Sequence, residues 1–316
     1  MSQSSHIGGR ASTQGNTKDS KTDASATGHC LVEQPGGHFT VMNVHLGEAM
    51  HSHIGPEAEA RLLYIEQSQL SQRIRSQTPC VIYDVGLGIA ANSVGVIGCL
   101  RSVISVIREE GGRIKTPQSL PLVTLLSFEN DLEGLKLALE HPERFPLLQG
   151  YEPALKALLA QGHYEEPGLV WRLFVGDFQD CLESAEAHPA DLIFYDFYSP
   201  KTCPALWSVE LFERLRLRHC ASDQTLLLTY SSATAIRVAL CLAGFQIGQG
   251  RATSRKSETT VASPGLGSLS SPLGAEWLAK LSRSSRILPW GIPEGKQPEI
   301  LERIRKAPQF RELHHP

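Results

Sequence analysis

The chain has 316 residues, 41% hydrophobic and 20% charged, enough for one large α/β domain with flanking pieces or two modest domains. With 30 Lys and Arg against 33 Asp and Glu the formal charge is −3, so any polyanion has to be held by a local patch rather than by the whole-molecule field. The 7 cysteines form no CxxC pair and their odd number argues against a closed disulfide framework, no apolar run reaches the ~20 residues of a membrane span, and the polar start lacks a signal core, so a reducing cytoplasm is expected.

In chain order, residues 1–36 are rich in Ser, Thr, Gly, Asp and Lys and nearly free of large apolar side chains, which predicts a disordered tail. Residues 37–78 read as a cap, with a period-2 strand over 38–45 and a helix over 56–71. From 79 to 263 short continuous apolar runs (80–85, 122–128, 169–175, 192–195 and 225–229) alternate with helical patterns (94–107, 132–139, 153–159 and 232–242). That alternation predicts a mostly parallel sheet covered on both faces. Runs at 245–248 and 259–262 predict a closing antiparallel hairpin. Residues 264–316 read as a linker followed by a helical, basic tail over 298–306.

In open parallel sheets ligands bind beyond the carboxyl ends of the strands. The first strand ends in Asp84, Gly86 and Gly88, with Asn92 opening the next helix. Glycines there let backbone approach a ligand, and the helix N-terminus offers unpaired N–H donors. Glu129 follows the second strand, where an acid can accept both hydroxyls of a ribose. Asp177 follows the third, within reach of an adenine amino group, and Asp196-Phe197-Tyr198-Ser199-Pro200 follows the fourth. Each acid alone is equally explained as a helix cap. A nicotinamide dinucleotide unit is the competing reading, but it expects its ribose acid ~20 residues beyond the glycines. Glu129 lies at about twice that distance, and Ala90 stands where the third glycine would be.

The segment 190–201 with Pro204-Ala205-Leu206-Trp207 resembles the MnmC-like methyltransferases, as do residues 47–52, 84–88, 175–177 and 255–263. Members of that family methylate the aminomethyl group on the wobble uridine of certain tRNAs. The resemblance, over residues 40–263, implies a Rossmann-like class I S-adenosylmethionine-dependent fold with a seven-stranded, mostly parallel sheet. It implies S-adenosylmethionine as donor, no metal, and tRNA as partner. The flavin oxidase domain of bifunctional members finds too little chain after residue 263, so a stand-alone methyltransferase is expected.

On this reading Glu48, Met50, Asp84, Gly86, Gly88, Asn92, Glu129 and Asp177 hold the cofactor. Asp196 orients the acceptor amine and stabilises its developing charge. Phe197, Tyr198, Ser199, Arg255 and Lys256 contact the substrate, an aromatic stacking on the base. His51 is expected to be a satisfied loop histidine. Phosphate contacts would fall to Arg251, Arg255, Lys256 and the basic tail. A small amine as acceptor, or a methyltransferase fold kept as a binding module, are the alternatives.

Overall fold

Two sheets organise the computed structural model, which describes residues 28–51, 54–111, 122–184, 189–253 and 257–311. The smaller sheet joins β1 (His29–Glu33), β2 (Phe39–Asn43) and β3 (Glu48–Ala49), all antiparallel. β1 falls within the tail expected to be disordered. Its His29, Cys30 and Leu31 are buried and Leu31 faces Val41 across the ladder, so pairing with β2 supplies the order that composition alone did not announce. Residues 1–27 lie outside the described residues.

The helix expected over 56–71 is broken into three. Gly55 (φ 87°) and Pro56 start α1 (Pro56–Glu59), the chain widens into a π-helical stretch (Ala60–Glu66), and Gln69 (φ 55°) separates it from α2 (Leu70–Arg75). Such widening shifts side-chain register and recurs at functional sites.

The larger sheet follows the expected alternation: β4 (Cys80–Val85), α3 (Ala91–Glu109), β5 (Val123–Glu129), α4 (Glu133–Glu140), α5 (Glu152–Gln161), β6 (His163–Glu166), β7 (Leu169–Val175), α6 (Phe178–Ser184), β8 (Leu192–Tyr195), α7 (Val209–Arg214), β9 (Leu226–Thr229), α8 (Thr234–Leu242), β10 (Gln246–Gly250) and β11 (Thr259–Ser263). The strand order is β10-β11-β9-β8-β4-β5-β7-β6, with β4, β5, β7, β8 and β9 parallel. Every residue of β8 and β9 is buried, which is why these strands read as unbroken apolar runs.

Among the described residues this sheet has eight strands, one more than the seven expected. The addition is β6, an antiparallel edge strand whose residues are exposed or half-buried, so its sequence carries no apolar run. β10 and β11 form the expected hairpin. Helix α3 is long and apolar enough to cross a membrane, but its Val96, Ile97, Leu100 and Ile104 sit in the core beside the sheet.

The chain does not leave the fold at residue 263. Gln249 N–H donates to Ser271 O at 2.8 Å, and the Gln309 side chain bonds both Ile247 and Leu273. Trp277 of α9 (Ala275–Leu281), Ile300 and Ile304 of α10 (Gln297–Lys306) and Phe310 of α11 (Pro308–Arg311) complete the second core. The Ser, Pro and Gly content of 264–274 suggested a linker because it hides these main-chain contacts.

Candidate functional site

β4 is central, and the chain turns to β5 on one side and to β8 on the other, so the gap beyond β4 and β8 is the topological switch point. The glycine turn lies there. Gly86 has φ 90° and Gly88 φ 54°. A Cβ on Gly86 would stand 2.7 Å from the Asp196 carbonyl oxygen, so only glycine lets the turn pass against the end of β8. Gly86 and Leu87 N–H both donate to Phe128 O, which ties the turn to β5. Ala90, in place of a third glycine, takes φ 67°, a left-handed conformation costing an alanine about 1–2 kcal/mol.

Over this turn lies a cavity of about 620 Å³, within the range of small-molecule sites. The large sheet contributes Gly86, Gly88, Glu129, Asp196, Phe197 and Tyr198 to its walls, and the N-terminal sheet and its following loop contribute Glu48, Met50 and His51. Glu129 Oε1 accepts the Asn130 and Asp131 N–H groups and Oε2 accepts Gly88 N–H at 2.9 Å. One lone pair of Oε2 therefore remains for a ligand.

Glu48 uses its carboxylate on the loop after β8. Oε1 accepts Ser199 N–H at 2.9 Å, and Oε2 accepts the hydroxyls of Ser199 and Thr202. His51 bonds Thr40 through both its backbone N–H and Nδ1, and burial, with His38 nearby, pushes its pKa down to about 4. Trp207 is buried and donates to Tyr198 O at 3.1 Å, so the Pro204–Trp207 turn holds the Asp-Phe-Tyr-Ser-Pro segment. The Phe197 ring meets Phe178 and Tyr195 edge-on, both at 5.3 Å, in an aromatic cluster. The Tyr198 hydroxyl is buried without a hydrogen-bond partner among the described residues.

Four residues expected to touch ligand do not line the cavity. Asp84 is fully buried and accepts the hydroxyls of Ser93 (2.5 Å) and Ser127 (3.0 Å), which pins α3 and β5 to β4. Asn92 turns its amide onto Asp196 Oδ2 at 2.9 Å. Asp177 is exposed and caps α6 through Gln179 N–H at 2.8 Å. Ser199 faces Glu48. In each case a neighbouring protein group captures the polar atom, donors at Asp84 and Asp177 and carboxylate acceptors at Asn92 and Ser199. Arg255 and Lys256 lie outside the described residues, and Arg251 is ion-paired with Glu66.

Glu59, Asp131 and Tyr230 also line the cavity, and sequence reasoning missed all three. The only signal for Glu59 was the Gly55-Pro56 helix start. The walls thus carry the carboxylates of Glu48, Glu59, Glu129, Asp131 and Asp196, and no Lys or Arg among the described residues. Asp196 is pushed up to about 7 by burial and then by the Glu59 charge, against the Asn92 hydrogen bond. Burial raises Glu129 despite its three amide donors. An enclosure of this kind favours a cationic ligand.

A profile of S-adenosyl-L-methionine-dependent methyltransferases matches residues 146–264. The structure of MNMC2 from Aquifex aeolicus superposes with a TM-score of 0.65 at 24% identity, covering 90% of this chain and 88% of that one. The tRNA 5-methylaminomethyl-2-thiouridine biosynthesis bifunctional protein MnmC of Paracidovorax citrulli is 26% identical over 212 residues, 66% of this chain and 31% of its own length. Its counterpart in Aromatoleum aromaticum is 29% identical over 203 residues, 63% and 30%. The chain carries an MnmC-like methyltransferase domain. Its methyl donor is S-adenosylmethionine. The chain spans about a third of the length of these curated relatives. The cavity of this methyltransferase domain fits its donor: a backbone turn open to close approach, an acid with a spare lone pair, and carboxylate-rich walls that would suit a sulfonium cation.

Proposed function

We propose that the domain methylates a primary amine, and that this amine is the aminomethyl group of a tRNA wobble uridine in the cytoplasm. The acidic cavity carries the reading, because both the donor's sulfonium and an ammonium acceptor are cations that suit five carboxylates with no Lys or Arg among the described wall residues. The part of the MnmC relatives in tRNA 5-methylaminomethyl-2-thiouridine biosynthesis supports the choice of tRNA.

Bound S-adenosylmethionine supplies an electrophilic methyl group on sulfur. Gly86 and Gly88 give it backbone room, Glu129 accepts from its ribose, and Met50 packs beside Gly88. Asp196, held by Asn92, accepts a hydrogen bond from the acceptor amine and aims its lone pair along the line of displacement. Glu48 keeps the loop bearing Phe197 and Tyr198 closed over that amine. Tyr198 presents its unpartnered hydroxyl to the acceptor.

The test is an acceptor panel with methyl-labelled S-adenosylmethionine. tRNA bearing aminomethyl-uridine should take label, and affinity for it should fall steeply with salt. Label on free alkylamines but not on such tRNA would favour the small-amine reading, to which the net charge of −3 lends support.

A further inference from the structure

Most of the cavity is built by the large sheet, but one of its walls comes from the N-terminal sheet. His29 of β1 lines the cavity although the residue is only 1% exposed. The composition of residues 1–36 placed it in a disordered tail, and the ladder with β2 is what brings it in. β1 and β2 pack against α4, and the seat is close: a Cβ on Gly134 of α4 would run into Met50 Cε and lie 3.7 Å from Val41 Cγ1.

Hydrogen bonds fix the state of the His29 ring. Its direct cross-strand partner is Asn43, itself buried. Leu46 N–H donates to Asn43 Oδ1 at 3.0 Å, so the amide turns its NH2 to His29, with Nδ2 3.3 Å from Nε2. An amide NH2 only donates. Nε2 therefore accepts, and the proton of the uncharged ring sits on Nδ1. That Nδ1 is buried and has no hydrogen-bond partner among the described residues. A buried donor left unpaired is costly, which marks it as a group that a ligand completes.

What lies beside the ring indicates the ligand atom. Asp131 Oδ2 is 3.8 Å from Nε2, too far for a hydrogen bond, and Asp131 N–H donates to Glu129 Oε1 at 3.1 Å. Glu129 in turn accepts Gly88 N–H from the glycine turn and keeps a lone pair for a ligand hydroxyl. A ribose hydroxyl that donates to Glu129 offers its own oxygen as an acceptor. Resting on the reading that Glu129 takes the donor's ribose, we propose that His29 is a further donor-binding residue, whose Nδ1–H donates to a ribose hydroxyl oxygen of S-adenosylmethionine. The N-terminal sheet is then a working wall of the donor site, although it lies outside the residues 146–264 that the methyltransferase profile matches.

The experiment is calorimetry with S-adenosylmethionine on the wild type, His29→Phe and His29→Asn. His29→Phe keeps a flat ring and removes Nδ1–H, and should weaken binding about tenfold, the scale of one buried hydrogen bond. His29→Asn returns an N–H near the Nδ1 position and should recover affinity to within about threefold of wild type. S-adenosylhomocysteine has the ribose but no charged sulfur, and should lose affinity in His29→Phe by the same factor. At saturating donor kcat should change less than about twofold, as for a contact made equally before and during methyl transfer. A second readout needs no substitution. Opening β1 breaks the proposed bond, so in the wild type S-adenosylmethionine should slow hydrogen exchange of the β1 and β2 amides at least as much as that of the edge strand β6. Unchanged affinity in His29→Phe, equal losses in the two variants, or β1 amides that exchange as fast with donor as without it would overturn the proposal. Failure of the wild type to bind S-adenosylmethionine, or binding indifferent to Glu129→Ala, would instead overturn the donor site on which it rests.

Discussion

Gly86→Ala is the sharpest structural perturbation available. The added Cβ would lie 2.7 Å from the Asp196 carbonyl oxygen and 3.0 Å from its carbon, where contact needs about 3.5 Å. Either the turn or the end of β8 must therefore move by at least roughly half an ångström. The φ of 90° adds backbone strain of order 1–2 kcal/mol. Gly88→Ala is the matched control, because its Cβ would meet only Met50 Sδ at 3.7 Å and its φ of 54° resembles that already tolerated by Ala90. Gly88→Ala should cost about 1 kcal/mol by urea unfolding, and Gly86→Ala at least twice that. Displacing Asp196 should lower kcat about 100-fold in Gly86→Ala, the scale of an ångström-level misplacement. Equal losses in the two variants would refute the claim that the turn and the acceptor carboxylate are packed as one unit.

Three further outcomes follow from the hydrogen bonds and titrations. Glu48→Ala removes the bonds to Ser199 and Thr202, and should reduce kcat ten- to a hundred-fold while calorimetry finds cofactor affinity nearly unchanged; a loss confined to affinity would show that Glu48 holds cofactor instead. Asp84, raised by burial to about 6, contributes stability that is present below about pH 4 and lost as pH rises through 6, about 3 kcal/mol in all. Urea titrations of Asp84→Asn should flatten that window, and an unchanged slope would contradict the burial argument. His51, depressed to about 4, stays neutral from pH 6 to 9, so His51→Gln should keep the shape of the pH–rate profile there, and disappearance of a limb would contradict it.

The sequence announced the parts of the fold that are buried on both faces. β4, β5, β8 and β9 read as apolar runs because both sides of them are covered, β7 reads as one from its composition although Arg172 and Val175 are exposed, and the carboxyl ends of all five could then be searched for acids. That search reached Gly86, Gly88, Glu129 and Asp196, which the fold brings to one cavity. It also reached Asp84 and Asp177, because a carboxylate at a strand end looks the same in sequence whether it faces a ligand, two serines or a helix N-terminus. Glu59 escaped notice because the π-helical stretch that follows it departs from the 3.6-residue pattern by which the helix was read. β1 and β6 escaped because each is a short strand ordered by hairpin pairing with the next strand along the chain, β2 and β7, rather than by a long apolar run of its own. The C-terminal segment looked detachable because the stretch before its helices is tied down by the Ser271 main chain and by the Gln309 side chain, bonds that leave no apolar signature.

A calorimetric titration of the ligand-free protein with S-adenosylmethionine, repeated with NAD⁺ and with Glu129→Ala, tests most directly that the cavity over Gly86 and Gly88 is the donor site. One-to-one binding of S-adenosylmethionine, no heat with NAD⁺, and at least tenfold weaker binding in Glu129→Ala is the predicted result. Binding of NAD⁺ in its place, or S-adenosylmethionine binding indifferent to Glu129, would contradict it.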